Sequence, residues 1–426
     1  MTPSARMDSA IQILSAILET PKPSDQLMQD HFRGRKYIGS KDRKAIAETV
    51  YRTLRAFGCL DWLVRDAGMA VTARALLLLK LSRIDELLPQ EIERYFDGMG
   101  YGAARLSEDE ESLLRRAAYP KDAPEEMRLE CPLWAYEGLK AQYPNTLADE
   151  LRALQTEAPL DLRVNSLKGD RAAALKQLRS DGMEAVETPF APFGIRVHGR
   201  PAFSMHPLYQ SGAIEVQDEG SQILAQLCGV RPGEWVVDFC AGAGGKTMAL
   251  AAAMQNKGRL WACDVEERRL ENARKRFRRA GIHCVETKLL SDERDDWVKK
   301  HVAKADCVLI DAPCSGMGTW RRNPFARWQN LGPSLETLVP LQARILESAA
   351  RLVKPGGRLI YATCSMLPQE NAEQIERFLK AHAEFTPLPL KTMWTHPNLP
   401  LDDAMLQLTP YQHDTDGFFV AAMQRQ

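Results

Sequence analysis

The sequence lacks several features that would assign it to a class at once. It has no excess of charge, since 56 Lys and Arg balance 56 Asp and Glu in 426 residues, and the whole molecule is therefore not an evident polyanion binder. Its nine cysteines are scattered and form no CxxC pair, which is not the pattern of a small disulfide-stapled domain and suits a reducing cytosol. Any nucleic-acid surface must accordingly be local.

Long hydrophobic runs are also missing. The apolar stretch Ala75 to Leu79 ends at Lys80, and Asp8 and Glu19 stand where an export signal needs an unbroken apolar core. We therefore expect a cytoplasmic protein with no membrane span and no export signal. What is present, 45% hydrophobic and 26% charged residues, is typical of a globular chain with two or three domains.

The hydrophobic pattern changes twice along the chain. Apolar residues recur at helical spacing up to a polar stretch at Ser107 to Glu130, which predicts an all-helical domain over residues 1–125. Residues 126–215 combine short strand-like pieces with one helix, Arg171 to Ser180, and predict a small α+β subdomain. In residues 216–426 apolar strands alternate with amphipathic helices, which predicts an α/β domain with a doubly wound, mainly parallel sheet.

The segment Asp238 to Thr247 (DFCAGAGGKT) is the predicted cofactor loop, because it ends a strand, opens a helix and carries glycines that let a ligand approach the helix N-terminus. A phosphate-binding GxxxxGK[ST] loop would need glycine at Cys240, and a dinucleotide-binding GxGxxG loop would need glycine at Thr247. The missing glycines weaken both the phosphate-binding and the dinucleotide-binding interpretation of this loop. Asp264, at the tip of the next strand, is either a solvated carboxylate or the acceptor of two ribose hydroxyls from an adenosine-containing cofactor.

Two cysteines end the fourth and fifth strands of the α/β domain. Cys314 lies in DAPCSG, which begins with Asp311, and Cys364 lies in ATCS. Neighbouring strand tips lie roughly 5 to 10 Å apart in a doubly wound sheet. A single cysteine at such a tip is usually a small buried apolar residue, but two at adjacent tips beside an aspartate favour a nucleophilic site.

Taken together, these motifs resemble the Sun-type (Fmu) family of RNA 5-methylcytosine methyltransferases. The resemblance covers about residues 128–426, and further blocks that carry it are LRVN, VQDEGS, RRNP, LPQEN and DGFF. The sequence from Lys41 to Leu63 is similar to the NusB-like helical domain of bacterial ribosomal small-subunit methyltransferases. The resemblance implies a Rossmann-like class I methyltransferase domain that uses S-adenosylmethionine, an α+β RNA-recognition subdomain and a NusB-like RNA-binding domain.

The resemblance also implies catalytic roles. Carbon 5 of cytosine is a poor nucleophile, so a thiolate must first add at carbon 6; the family assigns that step to Cys364 and gives Cys314 a part in product release. Asp311 is expected to hydrogen-bond the amino group and N3 edge of cytosine, unless it is only a buried carboxylate holding the turn. Lys246 is expected to favour the thiolate, unless it is only a surface lysine.

The predicted cofactor-binding set consists of the loop and three carboxylates: Cys240, Ala241, Gly242, Ala243, Gly244, Gly245, Lys246, Asp264, Asp292 and Asp311. Asp292 is the candidate third-strand carboxylate for the adenine side, although SDERDD offers several acids. The loop also departs from the family's usual CAAPGGKT, since it lacks the rigid proline. We expect greater backbone flexibility there, with the hydrogen-bond donors retained.

RNA contacts are predicted at Arg163 with Asn165 and at Arg321 with Arg322, because arginine contacts phosphates and stacks on bases. The run Arg274 to Arg279 is more typical of a solvated helix face. The expected partner is small-subunit (16S) ribosomal RNA with an unpaired or flipped target cytosine, and we expect a monomer without metal. Three alternatives stay open: an assembly factor with little turnover, a methyltransferase for another RNA such as tRNA, and a DNA cytosine methyltransferase with Cys314 as nucleophile.

Overall fold

A computed structural model describes residues 1–199, 201, 203–329 and 332–426. The chain divides into two compact units. One unit contains Met1–Thr156 and Trp320–Pro333, and the other contains Glu157–Thr319 and Ser334–Gln426. The first unit therefore includes a short segment that lies within the α/β region of the sequence.

The first unit is helical. Its helices are α1 (Pro3–Glu19), α2 (Ser24–Gly34), α3 (Ser40–Arg55), α4 (Phe57–Asp66), α5 (Ala73–Leu79), α6 (Pro89–Glu93), α7 (Glu108–Arg116), α8 (Glu125–Arg128), α9 (Leu133–Gln142) and α10 (Leu147–Ala153). A π-helical turn, Lys80–Ile84, follows α5. The unit continues past the predicted boundary near residue 125, because Arg55 Nη1 in α3 donates hydrogen bonds to the carbonyl oxygens of Gln155 and Thr156, at 3.0 and 2.9 Å.

Aromatic packing and a buried arginine hold the segment Trp320–Pro333 in the helical unit. The ring of Phe325 packs edge-on against Phe57, with ring centroids 4.8 Å apart. Arg327 is buried and donates to the carbonyl oxygens of Glu130 and Leu154, at 2.7 and 3.2 Å. These contacts join residues far apart in sequence and leave no local pattern in the sequence.

The second unit opens with a small antiparallel sheet in the order β2-β3-β1-β4. Its elements are β1 (Leu160–Val164), α11 (Arg171–Ser180), β2 (Ala185–Glu187), β3 (Gly194–Val197), α12 (Pro207–Gln210) and β4 (Ile214–Val216). Helix α11 has the predicted bounds, because Asp170 caps its N-terminus and its apolar side chains are buried on the sheet. The segment predicted as an α+β subdomain thus forms a sheet with one apolar and one polar face.

A larger sheet follows, and its strands have the order β10-β12-β9-β8-β5-β6-β7. Its elements are α13 (Glu219–Gln226), β5 (Trp235–Asp238), α14 (Gly245–Ala253), β6 (Arg259–Asp264), α15 (Glu267–Ala280), β7 (Val285–Leu289), α16 (Asp296–Lys300), β8 (Ala305–Asp311), α17 (Leu335–Ala350), β9 (Val353–Thr363), α18 (Ala372–Ala381), β10 (Phe385–Pro387), β11 (Met405–Leu408), α19 (Pro410–His413) and β12 (Phe418–Arg425). Strands β5 to β9 are parallel, and β10 to β12 pair antiparallel at one end. The predicted α/β class with a doubly wound, mainly parallel sheet is confirmed.

The strand order fixes where a ligand can bind. It reverses between β5 and β8, and in such sheets ligands bind beyond the carboxyl ends of the strands at the point of reversal. Two hydrophobic clusters cover the two faces of the sheet. In the described residues, no helix is long and apolar enough to span a bilayer. No group of three metal-ligating side chains occurs there either.

Candidate active site

The loop between β5 and α14 is held in a tight turn. Gly244 N–H donates to Ala241 O at 2.9 Å, and Gly242 and Gly244 have φ angles of +55° and +79°, which favour glycine. A Cβ at Gly244 would lie 2.5 Å from the ring of Phe277 on α15, whereas a Cβ at Gly242 would meet no atom within 4 Å. The turn therefore packs against a helix on one side and leaves open space on the other.

Two carboxylates face this loop from neighbouring strand tips. Asp264 Oδ2 accepts from Gly242 N–H at 2.8 Å, so the second strand tip supports the turn directly. Asp238 is buried, and its Oδ2 accepts from the hydroxyl of Thr247 at 2.7 Å. Its Oδ1 has no hydrogen-bond partner within the described part of the chain. Burial raises the pKa of Asp238 to about 7.

An arginine on α15 fastens the loop. Arg276 Nη1 donates to Ala243 O at 2.7 Å, and its Nη2 forms an ion pair with Glu215 at 3.1 Å. Arg279 pairs with the same carboxylate. These contacts oppose the extra flexibility expected from the missing proline. The run Arg274 to Arg279 is therefore only partly the solvated face that its sequence predicts.

Asp292 lies on the exposed loop after β7. Its Oδ1 accepts from the backbone N–H of Arg294 at 2.7 Å and so caps a turn. Asp295, in the same acidic run, accepts from Ser291 N–H and Trp297 N–H and begins α16. Of these two acids, Asp292 is the more exposed and the better candidate to contact a ligand.

The two predicted cysteines lie together at the tips of β8 and β9. The sulfur atoms of Cys314 and Cys364 are 3.4 Å apart, both residues are half-buried, and both are free thiols. Gly318 N–H donates to Cys364 O at 2.9 Å, and Gly318 O accepts from Gly417 N–H at 2.8 Å. The loop after Cys314 thus contacts the backbone of Cys364 and of Gly417, next to β12.

Lys246 and Asp311 form an ion pair beside the cysteines, with Nζ and Oδ2 at 2.8 Å. The Lys246 side chain is 11% exposed, so it is not a surface lysine. Burial lowers the pKa of Lys246, but the charge and hydrogen bond of Asp311, together with the charges of Cys364 and Asp238, raise it by more, so the pKa lies above its ordinary value. The site therefore combines two thiols, one ammonium and one carboxylate.

Comparison with known proteins identifies the family. The family model described as 16S rRNA methyltransferase RsmB/F matches residues 225–424, and a model for the ferredoxin-like domain of RsmF/B-like methyltransferases matches residues 131–203. The probable ribosomal RNA small subunit methyltransferase B of Synechocystis sp. is 30% identical over 430 residues, 94% of each chain. This chain belongs to the RsmB/F methyltransferase family. The resemblance seen in the sequence is thereby confirmed.

Further similarities extend over the whole chain. The probable ribosomal RNA small subunit methyltransferase B of Bacillus subtilis is 28% identical over 98% of each chain. The crystal structure of PH0851 superposes with a TM-score of 0.82 at 27% identity and covers 100% of this chain and 99% of that chain. The similarity therefore covers the helical N-terminal region as well as the large sheet.

Sequence reasoning missed a buried carboxylate in this methyltransferase. Glu370 is fully buried and accepts from the backbone N–H and hydroxyl of Ser315, at 2.8 and 2.6 Å, from the hydroxyl of Ser365, and from Gln342 Nε2 at 2.9 Å. Ser315 follows Cys314 and Ser365 follows Cys364, so one carboxylate ties both cysteine loops together. Glu370 lies in the LPQEN block, and the resemblance of that block to the family was the sequence signal that could have indicated this residue.

Arg163 and Asn165, predicted as RNA contacts, are buried within the second unit. Asn165 Nδ2 donates to Gly212 O and Ala280 O, both at 2.9 Å, and so fixes the small sheet to α15. Arg163 is 6% exposed, and its Nε and Nη1 have no hydrogen-bond partner among the described residues. Burial lowers the pKa of Arg163 to about 10. Direct RNA contact needs exposure, so the structure favours a packing role for both residues.

Arg321 and Arg322 belong to the helical unit. Arg321 is 1% exposed, and its carbonyl oxygen accepts from Arg55 Nη2 at 3.0 Å. Arg322 is half-buried. Of the four predicted RNA contacts, Arg322 is therefore the one whose exposure fits such a role.

Proposed function

We propose that this methyltransferase methylates carbon 5 of a cytosine in small-subunit (16S) ribosomal RNA, using S-adenosylmethionine and Cys364 as the nucleophile. The main observation that supports this proposal is that the sulfur atoms of Cys314 and Cys364 lie 3.4 Å apart beside the Lys246–Asp311 ion pair. The family, and the small-subunit methyltransferases among its members, support the ribosomal substrate.

The two charged residues suit covalent catalysis. The ammonium of Lys246 interacts electrostatically with Cys364. The thiolate is the form of cysteine that attacks carbon. The thiolate forms a bond to carbon 6 and drives an electron pair toward carbon 5. Asp311 accepts a hydrogen bond from the cytosine amino group as the charge of the ring changes.

The second thiol suits product release. The hydrogen bond with Cys364, burial and the charge of Glu370 hold the pKa of Cys314 well above its ordinary range. Cys314 therefore keeps its proton and can donate a hydrogen bond to the sulfur of Cys364. Once carbon 5 carries the methyl group, its proton passes to water as the base, and the C–H electron pair re-forms the double bond between carbons 5 and 6. The bond between carbon 6 and sulfur breaks at the same time, and its electron pair returns to Cys364. The hydrogen bond from Cys314 stabilises that departing sulfur.

The residues of the loop fit the cofactor. S-adenosylmethionine supplies an electrophilic methyl group when bound. Asp264 suits its ribose hydroxyls, and the unpartnered Oδ1 of Asp238 suits an ammonium group. Helix α14 has no side-chain cap at its N-terminus, which leaves backbone N–H groups for the carboxylate. We assign residues 240–246, Asp264, Asp292 and Asp311 to cofactor binding.

The test is transfer of labelled methyl from S-adenosylmethionine to unmodified, protein-free small-subunit ribosomal RNA, followed by nucleoside analysis and mapping. We expect 5-methylcytosine at one position with the unaltered protein and none with Cys364→Ala. Cys314→Ala should leave a slowly released covalent RNA adduct, and Cys284→Ala, a cysteine outside the site, should behave as the unaltered protein. An adduct that needs Cys314 and not Cys364 would contradict the proposal, because it would move the nucleophile to the other thiol.

A further inference from the structure

The ring of Phe418 lies next to the ammonium group of Lys246. Phe418 is the first residue of β12 and belongs to the DGFF block, and its side chain is buried. The Nζ atom of Lys246 lies over this ring, 5.4 Å from its centroid. The face of an aromatic ring carries partial negative charge and attracts a cation within about 6 Å. Phe418 is therefore a second partner of Lys246, besides Asp311.

The ammonium of Lys246 has room for this second partner. It has three N–H groups, and within the ranges that the structure describes it donates one hydrogen bond, to Asp311 Oδ2 at 2.8 Å. The side chain is largely buried, so water can satisfy little of the remaining charge. The ring face supplies negative charge without a hydrogen bond, and this attraction is stronger where water is excluded. The carboxylate and the ring together restrict the ammonium to one place.

The VQDEGS block holds the ring in position. A Cβ at Gly220, in the first turn of α13, would lie 2.7 Å from Cδ2 of Phe418, so the ring packs against bare backbone. Asp218 caps the same helix, because its Oδ1 accepts from Gly220 N–H at 2.7 Å. Its Oδ2 accepts from Asp416 N–H at 3.2 Å, two residues before the ring. The position of the ring thus depends on contacts outside the cofactor loop and the cysteine loops.

Strand pairing places Phe418 on the same side of the sheet as Cys364. Thr363 is opposite Phe419 in the antiparallel pair of β9 and β12, so the next step of this register brings Cys364 opposite Phe418. Directly opposite residues have their side chains on one face, with Cβ atoms about 4.5 to 5.5 Å apart. Cys364 also packs against the hydrophobic cluster that contains Phe418, whereas Phe419 belongs to the cluster on the other face. One ring therefore lies beside both the thiol and the ammonium.

We propose that Phe418 is a positioning residue, which holds the ammonium of Lys246 beside the thiol of Cys364. Without the ring face, the ammonium keeps its bond to Asp311 but can turn about that carboxylate, away from the sulfur. The inference rests on the proposed function for its meaning in catalysis, because a nearby cation favours the thiolate that attacks carbon 6. The contact between the ring and the ammonium is, however, a property of the protein alone.

The test weakens the charge of the ring face and keeps the shape of the ring. Phe418 is replaced, by nonsense-codon suppression, with phenylalanine analogues that carry one, three or five ring fluorines, which withdraw negative charge from the face in steps. The readout is the rate at which Cys364 reacts with iodoacetamide at neutral pH, followed by peptide mass spectrometry of the full-length protein. The thiolate sulfur forms a bond to the methylene carbon and iodide leaves with the electron pair, so the rate follows the thiolate fraction. We expect a stepwise fall that reaches about tenfold with five fluorines.

Two controls separate the effect on the ammonium from an effect on packing. In the Lys246→Met protein the same series should give a constant rate, because the cation on which the ring acts is gone. The same analogues at Phe419, the next residue on the opposite face, should also leave the rate unchanged. A constant rate across the Phe418 series overturns the inference, and so does an equal fall in Lys246→Met or at Phe419. If the protein with five fluorines does not fold, the steps with one and three still decide, because the fall must grow with the number of fluorines.

The alkylation assay contains neither RNA nor cofactor. If methyl transfer to RNA fails while the alkylation rate falls stepwise, the proposed function is wrong and the role of Phe418 stands. If transfer depends on Cys364 and the Phe418 series gives a constant rate, the proposed function stands and the role of Phe418 is wrong.

Discussion

Replacing Gly318 with alanine tests whether backbone contacts hold the nucleophile in place. A Cβ at this position would lie 2.1 Å from Gly417 O and 2.7 Å from Gly417 C and Cα. Ordinary contacts need about 3.5 Å, so one backbone segment must move by more than about 1 Å. Gly318 also donates to Cys364 O, so the tip of β9 moves with it.

The expected cost has two parts. Overpacking costs about 1 to 3 kcal/mol, and each weakened backbone hydrogen bond costs about 0.5 to 1.5 kcal/mol. We therefore expect Gly318→Ala to lower the free energy of unfolding of the second unit by about 2 to 4 kcal/mol. Displacement of a reacting group by about 1 Å lowers rates about 100-fold, so kcat should fall in proportion.

Urea denaturation and single-turnover methyl transfer measure the two effects. Gly169→Ala is the matched control, because its Cβ meets no atom within 4 Å and its φ is ordinary, and it should change neither quantity. Unfolding and turnover of Gly318→Ala that match those of the control would refute the reasoning, since the backbone would then have absorbed the methyl group without moving Cys364.

Three further substitutions give graded tests. Arg276→Gln removes the charged hydrogen bond to Ala243 O and should raise the Kd for S-adenosylmethionine about tenfold by calorimetry, whereas the exposed Arg278→Gln should not. Arg163→Met removes two buried N–H groups without hydrogen-bond partners and should raise the free energy of unfolding by about 1 to 3 kcal/mol. A clear loss in urea denaturation would contradict this, because the attraction between Arg163 and Glu215 would then outweigh the cost of burial. Burial raises the pKa of Asp238 to about 7. Protonation of Asp238 therefore stabilises the folded protein fully below pH ~3.9, the pKa of aspartate in the unfolded chain, and this stabilisation is lost as the pH rises through 7. Asp238→Asn should flatten the unfolding free energy over that pH range, and an unchanged slope would contradict the shifted pKa.

The large sheet was predictable because four of its five parallel strands, β5, β6, β8 and β9, are largely buried. Such strands are nearly continuous apolar runs, and the stretches at 234–240, 260–265, 305–313 and 357–365 match them. The stretch at 283–289 matches β7, which ends the sheet and is partly exposed. The positions of residues at strand tips follow from the same topology. The carboxyl ends of the parallel strands share one edge of the sheet, and four predicted residues therefore meet there: Asp264, Asp311, Cys314 and Cys364. Local pattern alone was sufficient for this part of the site.

The remaining parts depend on partners that are distant in sequence. Asn165 looked like a surface residue because Ala280, its acceptor, lies 115 positions away. Arg321 looked like an RNA contact in a loop, but its segment packs with the N-terminal helices. Glu370 and Ser315 are 55 positions apart. In each case the burial of a polar side chain is decided by a contact that a single sequence does not encode locally.

Strand register gives the nucleophile its direction. Side chains alternate between the two faces of a sheet, so a slip by one residue would turn the end of β9 the other way. Two pairings prevent that slip, because Ala362 is opposite Asp311 on β8 and Thr363 is opposite Phe419 on β12. The hydroxyl of Thr363 is also hydrogen-bonded to Asn371 at 2.6 Å, next to Glu370. The neighbouring strands therefore fix the position and direction of the end of β9, which Cys364 follows.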